Sequence, residues 1–261
     1  MSPSAPMPVL LRLAALFAVL FLIMPLLVVL PMSLTPQSYL SLPTDGVSLQ
    51  HYAGLWTDAG WSQAVTTSFA IAALSAAIAL VLGTAFAVAA WHLPGRATTL
   101  LNLMLYGPMI VPPVIYGVGI FRMWAELGVL DTFAGVLVVH VVLGLPFVIV
   151  TIGATLATLD RRMAQAARSL GASPLQSIRR VILPNIVPGM LAGGLFAFVA
   201  SWDEVVVTLM ITSRRLTTLQ RQIWQGIVDA VDPRVAAVGT LLILLTVGVL
   251  VVERLLAHRS A

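Results

Sequence analysis

Two neighbouring acidic residues, Asp203 and Glu204, lie in a stretch that is otherwise almost entirely apolar, AFVASWDEVVVTLMI at residues 197–211. A carboxylate at the centre of a spanning helix costs about 2.5–3.5 kcal/mol, so such residues usually face a partner or a cavity. Three roles fit: pairing with an Arg from a neighbouring helix, positioning the backbone around a helix break, or contacting a cationic substrate. The adjacent Trp202 favours the third role, because its ring can hold an alkyl-ammonium group by cation–π attraction.

The helical face on which each acid lies can be read from the spacing of its neighbours. On a continuous helix, adjacent residues point about 100° apart. Glu204 then shares a face with Gly193, Ala197 and Ala200, and such a small-residue face lets a neighbouring backbone approach closely. We expect both acids to lie beyond the midpoint of their span, toward the outside.

The composition of the chain indicates that the elements carrying these acids are membrane helices. Of the 261 residues, 59% are hydrophobic and only 9% are charged, whereas a soluble domain carries about 25% charged residues. A span needs about 20 mostly apolar residues. The sequence predicts an all-α polytopic membrane protein, one domain over 1–261, with six transmembrane helices at about 9–32, 63–91, 99–124, 133–158, 186–212 and 236–256.

The distribution of arginine predicts the orientation of these spans. The chain contains no Lys, and nine of its 14 Arg fall before span 1, between spans 2 and 3, between spans 4 and 5, or after span 6. Basic residues accumulate in cytoplasmic loops, so both termini are predicted to be cytoplasmic. The external 33–62 loop contains SLQHYAGLWTDAGW, which is typical of a short interfacial helix with Trp56 and Trp61 at headgroup level.

The third span is interrupted by proline and glycine in YGPMIVPPVIYGVGIF, residues 106–121. Proline removes a backbone donor, and a broken helix survives at membrane depth only where protein or a water-filled cavity satisfies the freed groups. The break either improves packing alone or lines a central path. In the second case Tyr116 or its neighbours line that path.

The loop after span 4, LDRRMAQAARSLGASPLQSIRRVILPNIVP, is too long for a simple connection. Helix formers precede Gly171, a plausible stop, and Ser173 with Pro174 can begin a second helix. The pattern predicts a helix, a sharp turn and a second helix that ends at Pro184, within a coupling loop at 159–185. Such an elbow either presents its small residues to another protein or is a solvated, Arg-rich surface.

The elbow sequence QAARSLGASPLQSIRRVILP resembles the EAA loop of permease subunits from ATP-binding-cassette importers. The matching positions are Gln165, Ala166, Ala167, Gly171, Val181, Leu183 and Pro184, with Gln in place of Glu and Val in place of Ile. The resemblance implies a cytoplasmic coupling helix between spans 4 and 5. The residues that it implies for ATPase coupling are Gln165, Ala166, Ala167, Arg168, Gly171 and Ala172.

Other segments resemble the spermidine/putrescine branch of these importers, among them PTDGVSLQHYAGLW, PMIVPPVIYGVGI and SWDEVVVTLMI. The resemblance implies a bacterial inner-membrane permease that pairs with a second homologous permease. It also implies a dimer of ATP-binding cytoplasmic subunits, which use ATP and Mg²⁺, and an external solute-binding protein. This chain is expected to bind no cofactor and no nucleic acid. The expected substrate-binding residues are Asp203, Glu204, Trp202 and Tyr116, and the substrate is a polyamine or another small amine, amino acid or opine.

The sequence offers little support for an enzyme. The four His are scattered, no H-E-x-x-H or G-x-S-x-G occurs, and no catalytic or metal-binding residue is predicted. His140 is expected to be a packed polar residue. The chain lacks a phosphate-binding G-x-x-x-x-G-K-[ST], so ATP must be hydrolysed by another chain. An ion-coupled transporter or channel remains a remote alternative, but it would leave the EAA-like loop unexplained.

Overall fold

The computed structural model describes residues 9–259; the ends of the predicted single domain, 1–8 and 260–261, lie outside the described residues. All regular elements in the described range are helical, which confirms the all-α class. Two π-helical segments span Ile178–Ile182 and Gly226–Ala230. The α-helices are α1 (Val9–Met32), α2 (Gln50–Thr57), α3 (Ala59–His92), α4 (Arg96–Ile110), α5 (Pro113–Leu127), α6 (Phe133–Thr158), α7 (Arg161–Ser169), α8 (Pro174–Ser177), α9 (Leu183–Trp202), α10 (Val206–Ile211), α11 (Leu219–Gln225) and α12 (Arg234–Arg259).

Several of these helices are long and apolar enough to cross a membrane. Among the described residues there are four: α1, α3, α6 and the continuous helical segment Pro174–Trp202. The total becomes five if α4 and α5, which meet at a bend of 104°, form one span. Among the described residues, α12 contributes a shorter apolar segment, Arg234–Gly248. All six predicted stretches are mostly helical, with breaks at 111–112 and 203–205, while the count of six spans stays a prediction.

The chain divides into two compact units, Met1–Ser62 with Gln222–Ala261 and Gln63–Arg221. In the first unit, α12 packs against α1 and α2. Arg234, the first residue of α12, lies 2.8 Å from Asp58 and 2.7 Å from Asp232. The hydrogen bond from Arg234 is the main reason why the pKa of Asp58 lies below its ordinary value. Arg234 thus joins the beginning of α12 to the α2–α3 connection.

The predicted interfacial helix is shorter than expected. Asp58 ends α2, and its Oδ1 accepts hydrogen bonds from the N–H groups of Gly60 and Trp61, which start α3. Trp56 is 65% exposed, but Trp61 is fully buried, with Arg234 located 5.4 Å from its ring centroid. The prediction that both rings lie at headgroup level is therefore wrong for Trp61, because its ring packs inside the first unit.

In the second unit, α6 packs along α9 through small residues. A Cβ added at Gly193 would lie 3.0 Å from the Cα of Val148, and one added at Gly144 would lie 3.2 Å from the Cβ of Ala197. Such contacts let two backbones approach closely. The prediction that Gly193 and Ala197 belong to a closely packed small-residue face is confirmed.

The third predicted span is broken between α4 and α5, as its prolines suggested. Val111 is the C-cap of α4, Pro112 is the N-cap of α5, and Pro113 is the first residue of α5. At a helix start the N–H group that proline lacks would be unpaired in any case. The two helices bend by 104° at this point. The broken helix is confirmed.

The second arm of the elbow does not end at Pro184. The helix continues from Pro174 to Trp202 through the π-helical segment Ile178–Ile182. Within it the N–H of Leu183 bonds the carbonyl of Ile178, five residues earlier. This wider turn lets the helix pass Pro184, which would otherwise clash with the preceding turn.

Candidate functional site

The two acids lie at a helix break in the second unit. Helix α9 ends at Trp202, Asp203 is its C-cap, and α10 begins at Val206. Glu204 Oε1 accepts a hydrogen bond of 2.8 Å from the N–H of Val207 in the first turn of α10. The predicted continuous helix over 186–212 is therefore wrong. The carboxylate satisfies a backbone donor that a helix start leaves free, which stabilises the interruption.

The break changes the surroundings predicted for the acids. Because Glu204 lies outside α9, it does not share a helical face with Gly193 and Ala197. Asp203 is exposed and Glu204 is half-buried. Among the side chains that the structure describes, the ion pairs involve Arg122 and Arg234 and neither of these acids. Glu204 positions backbone at a break, one of the three roles that the sequence left open, and no Arg pairing within the described part of this chain is seen.

The other two residues predicted to bind substrate lie beside these acids. Trp202 precedes them directly and stacks on Phe198, with ring centroids 5.9 Å apart. Tyr116 in α5 is half-buried and packs on a cluster of side chains that contains Val207 of α10. The Tyr116 hydroxyl is buried and has no hydrogen-bond partner within the described part of the chain. The packing of α10 on α5 therefore brings Tyr116 to the break.

His140 connects the two sides of the break. It is 2% exposed, its Nδ1 lies 2.7 Å from Ser201 Oγ in α9, and its Nε2 lies 3.1 Å from Thr208 Oγ1 in α10. Ser75 of α3 donates to Ser201 Oγ at 3.0 Å. The prediction of a packed polar residue is confirmed, but its partners were missed, because they become neighbours only when the helix is broken.

The loop that follows α10 is held by Asp131, which lies in the connection between α5 and α6 and was not predicted from the sequence. Its carboxylate accepts four backbone hydrogen bonds of 2.8–3.1 Å, from the N–H groups of residues 213–216. Partial burial alone raises the pKa of Asp131, but the N–H donors outweigh that effect and lower the pKa to about 2. The carboxylate is thus a fixed anchor between the α5–α6 connection and the segment after α10.

The elbow has the form that its sequence predicts. Asp160 caps α7, Gly171 adopts a φ of +89°, and Ser173 forms a capping box with Gln176 at the beginning of α8. The buried Ser177 donates a hydrogen bond of 3.4 Å to the carbonyl of Ala164, which joins the two arms. The positive φ explains why glycine occupies the bend.

The elbow exposes most of the residues predicted to contact an ATPase. Gln165, Ala166, Arg168 and Gly171 are exposed, and Ala167 and Ala172 are half-buried. Two apolar residues missed from the sequence, Leu170 and Leu175, are 89% and 72% exposed.

The inner surface of the elbow borders a mostly apolar cavity of about 880 Å³ between α3, α7 and the segment before α9. Gln165 and Arg168 line its polar edge. Arg161 also lines it and lies 5.1 Å from the ring centroid of Trp91 at the end of α3. The elbow therefore contacts a spanning helix on one side and is open on the other.

Comparison with known proteins places this arrangement in a transport family. A family model described as binding-protein-dependent transport system inner membrane component matches residues 79–261. The chain is 30% identical over 240 residues to the spermidine/putrescine transport system permease protein PotC of Haemophilus influenzae, covering 92% of this chain and 93% of that protein. It is 30% identical over 209 residues to the putrescine transport system permease protein PotI of Escherichia coli K12, covering 76% and 73%.

A solved structure shows the same fold. It is the crystal structure of a bacterial ABC transporter involved in the import of the acidic polysaccharide alginate. It matches with a TM-score of 0.69 at 17% identity, covering 96% of this chain and 94% of that one.

These matches identify the protein as a membrane subunit of a binding-protein-dependent ABC importer. It is a transporter permease of the bacterial inner membrane and not an enzyme, since a separate subunit hydrolyses ATP in these importers. The chain belongs to the family of binding-protein-dependent transport system inner membrane components.

Proposed function

We propose that this permease forms half of the translocation path for a small cationic solute, with spermidine or putrescine as the leading candidate. The observation that carries the proposal is the break at 203–205, where Asp203 and Glu204 lie together without an Arg partner among the described side chains. Two acids in an apolar environment are costly unless a cation offsets them. A transient cation, the substrate, meets that requirement.

The residues around the break fit the chemistry of a polyamine, which combines ammonium groups with methylene spacers. Asp203 is exposed and free to meet an ammonium group, while Glu204 contributes negative charge and holds the start of α10. Trp202 and Tyr116 would supply aromatic surface for the methylene segments and cation–π attraction. A weak site suffices, because tight binding would slow release.

The relatives support the choice of substrate, and the fold alone does not. Two matching permeases carry spermidine/putrescine and putrescine in their names. The solved transporter with the same fold is involved in the import of an acidic polysaccharide, which has the opposite charge. The fold therefore does not determine the charge of the substrate, and the charged side chains along the path, such as Asp203, must do so. Another small amine, an amino acid or an opine is the alternative substrate.

The proposal includes the rest of the transport machinery. Six spans would place both termini in the cytoplasm, and the elbow within 159–185 would dock into a groove of the ATP-binding subunit dimer through Gln165, Ala166, Ala167, Arg168, Gly171 and Ala172. A second homologous permease would complete the path, and an external solute-binding protein would deliver the substrate. ATP and Mg²⁺ would act on the partner subunits, and this chain would bind no cofactor.

Neutralising the acids without changing their shape tests the proposal. Asp203→Asn and Glu204→Gln, introduced singly into the full complex, should reduce polyamine uptake while assembly and ATP hydrolysis by the partner persist. Glu126→Gln is the matched control, because Glu126 is an exposed acid paired with Arg122 on α5. If the acids instead neutralise a partner-chain Arg, their loss should destabilise the complex. Normal uptake after neutralisation of both acids would exclude the substrate role.

A further inference from the structure

The two helices that flank the acids are joined by a single side chain from a third helix. Ser201 lies in the last turn of α9, Thr208 lies in α10, and both hydroxyls contact the ring of His140 in α6. Residues 203–205 separate the end of α9 from the beginning of α10. The His140 ring bridges this gap, because one of its nitrogens contacts α9 and the other contacts α10.

The hydrogen-bond directions around this ring form a consistent chain. Ser75 Oγ lies 3.0 Å from Ser201 Oγ and 3.2 Å from the carbonyl of Ala72. When Ser75 donates to Ser201, the Ser201 hydroxyl hydrogen is free to point at His140 Nδ1, and the ring then carries its proton on Nε2 and donates it to Thr208 Oγ1. In this neutral tautomer both ring nitrogens are used. Buried networks in which every member is satisfied make a local structure rigid.

The helix that carries His140 is itself held firmly against α9. Gly144, one turn after His140, lies against Ala197 and Ala79, and Gly193 lies against Val148 of α6. All of these contacts lie within the second unit. The imidazole therefore has a fixed position relative to α9, and its second nitrogen transmits that position to α10.

We propose that His140 is the positioning residue for Asp203 and Glu204, because it fixes both ends of the break that carries them through Ser201 and Thr208. The inference rests on the proposed substrate role of the acids and adds a residue to it. Asp131 and Arg221 hold the C-terminal end of α10. Without the bridge, the beginning of α10 would be held mainly by its packing on α5 and by the Glu204 cap, so the carboxylates would sample more positions. An acid that moves offers a weaker transient site to a passing cation.

Removing one hydrogen bond at a time tests the bridge. Thr208→Val and Ser201→Ala each delete a hydroxyl, while His140→Asn keeps an amide near the Nδ1 position and His140→Gln keeps one near the Nε2 position. The matched control is Thr246→Val, because the Thr246 hydroxyl bonds only the carbonyl of Leu242 in its own helix. The measurement is polyamine taken up per ATP hydrolysed by the complete complex in proteoliposomes.

We expect Thr208→Val to lower this ratio about 3- to 10-fold, the effect of one lost hydrogen bond, and the control to leave it unchanged. Each single-amide variant should lower it too, since neither amide reaches both hydroxyls. The decisive comparison is made in a Glu204→Gln background, where Thr208→Val should have no comparable further effect. Thr208 holds α10, to which residue 204 is bonded, and residue 204 no longer carries a charge there.

Four outcomes are distinguishable. A reduced ratio that is not additive with Glu204→Gln supports the positioning role. An unchanged ratio in Thr208→Val and both His140 variants, with Glu204→Gln impaired, overturns this inference and leaves the proposed function standing. An additive loss means that His140 only stabilises the fold and also overturns it. If Glu204→Gln and Asp203→Asn are both fully active, the proposed function itself fails, and the inference fails with it.

Discussion

The Asp131 carboxylate lies 2.8 Å from the backbone nitrogen of Ser213, although 82 residues separate them in the chain. Three further N–H groups converge on the same carboxylate. Asp131 itself has a φ of 55° and donates its own N–H to the carbonyl of Ile211 at the end of α10. Asp131 therefore fixes the segment that follows the C-terminal end of α10, whereas the two acids precede the N-terminal end of that helix.

Asp131→Asn should destabilise the protein by about 1 kcal/mol, because four backbone donors, three of them on exposed residues, lose a charged acceptor. Asn tolerates a positive φ, so this variant isolates the hydrogen bonds from backbone strain, and Asp131→Ala should cost more. The measurement is the unfolding temperature of the detergent-purified complex. Equal unfolding temperatures for wild type and Asp131→Asn would show that the four contacts contribute nothing.

The stability of the protein at acidic pH should also depend on the Asp131 carboxylate. The pKa of Asp131 is lowered from an ordinary value of 3.8 to about 2. Its stabilisation is therefore complete above the ordinary value and is lost as the pH falls through the window from 3.8 to about 2. Wild type should lose stability more steeply than Asp131→Asn between pH 5 and the lowest pH at which the complex stays soluble. Parallel curves for the two proteins would contradict this origin of the pKa.

The contact between α6 and α9 should tolerate no side chain at Gly193. Gly193→Leu must displace the Val148 backbone, and overpacking of this kind costs about 1–3 kcal/mol or more. Gly153→Leu is the matched control, since a Cβ on that α6 glycine has nothing within 4 Å in this chain. The yield of assembled complex should fall for the first variant and not for the second. Equal yields would mean that the α6–α9 approach is looser than described.

The elbow should fail when its bend is altered, even though no described atom lies within 4 Å of a Cβ added at Gly171. Gly171 has a φ of +89° and open space around its Cα, so Gly171→Asp combines backbone strain with a charge on the proposed docking surface. We expect normal membrane insertion, weaker association with the ATPase subunit, and a large loss of uptake. The control is Gly95→Asp, at an open position where Asp favours the start of α4. Uptake equal to wild type in Gly171→Asp would contradict the coupling role.

Local signals in the sequence predicted much of this structure. The cap at Ser173 acts through neighbouring residues, and the Pro112–Pro113 break follows from missing N–H groups, so turn and cap rules located the elbow and the broken span. A helix break at the two acids was one of three roles that the sequence left open and was not the favoured one, because it depends on Glu204 bonding a backbone donor inside an apolar run that otherwise favours one continuous helix. Contacts between distant residues, such as Asp131 with 213–216 or His140 with Thr208, are set by packing and leave no local pattern.

The central claim is that the negative charge at 203–204 acts on a cationic substrate in transit. The most direct measurement compares uptake of a diamine and a triamine, putrescine and spermidine, by the wild-type complex and by the Asp203→Asn/Glu204→Gln double variant. Because both complexes use the same solute-binding protein, its own preference cancels in the ratio of variant to wild-type uptake. The account predicts a loss for both amines that is larger for spermidine, since electrostatic attraction grows with substrate charge. Uptake of both amines at wild-type rates, or an equal loss for the two, would contradict it.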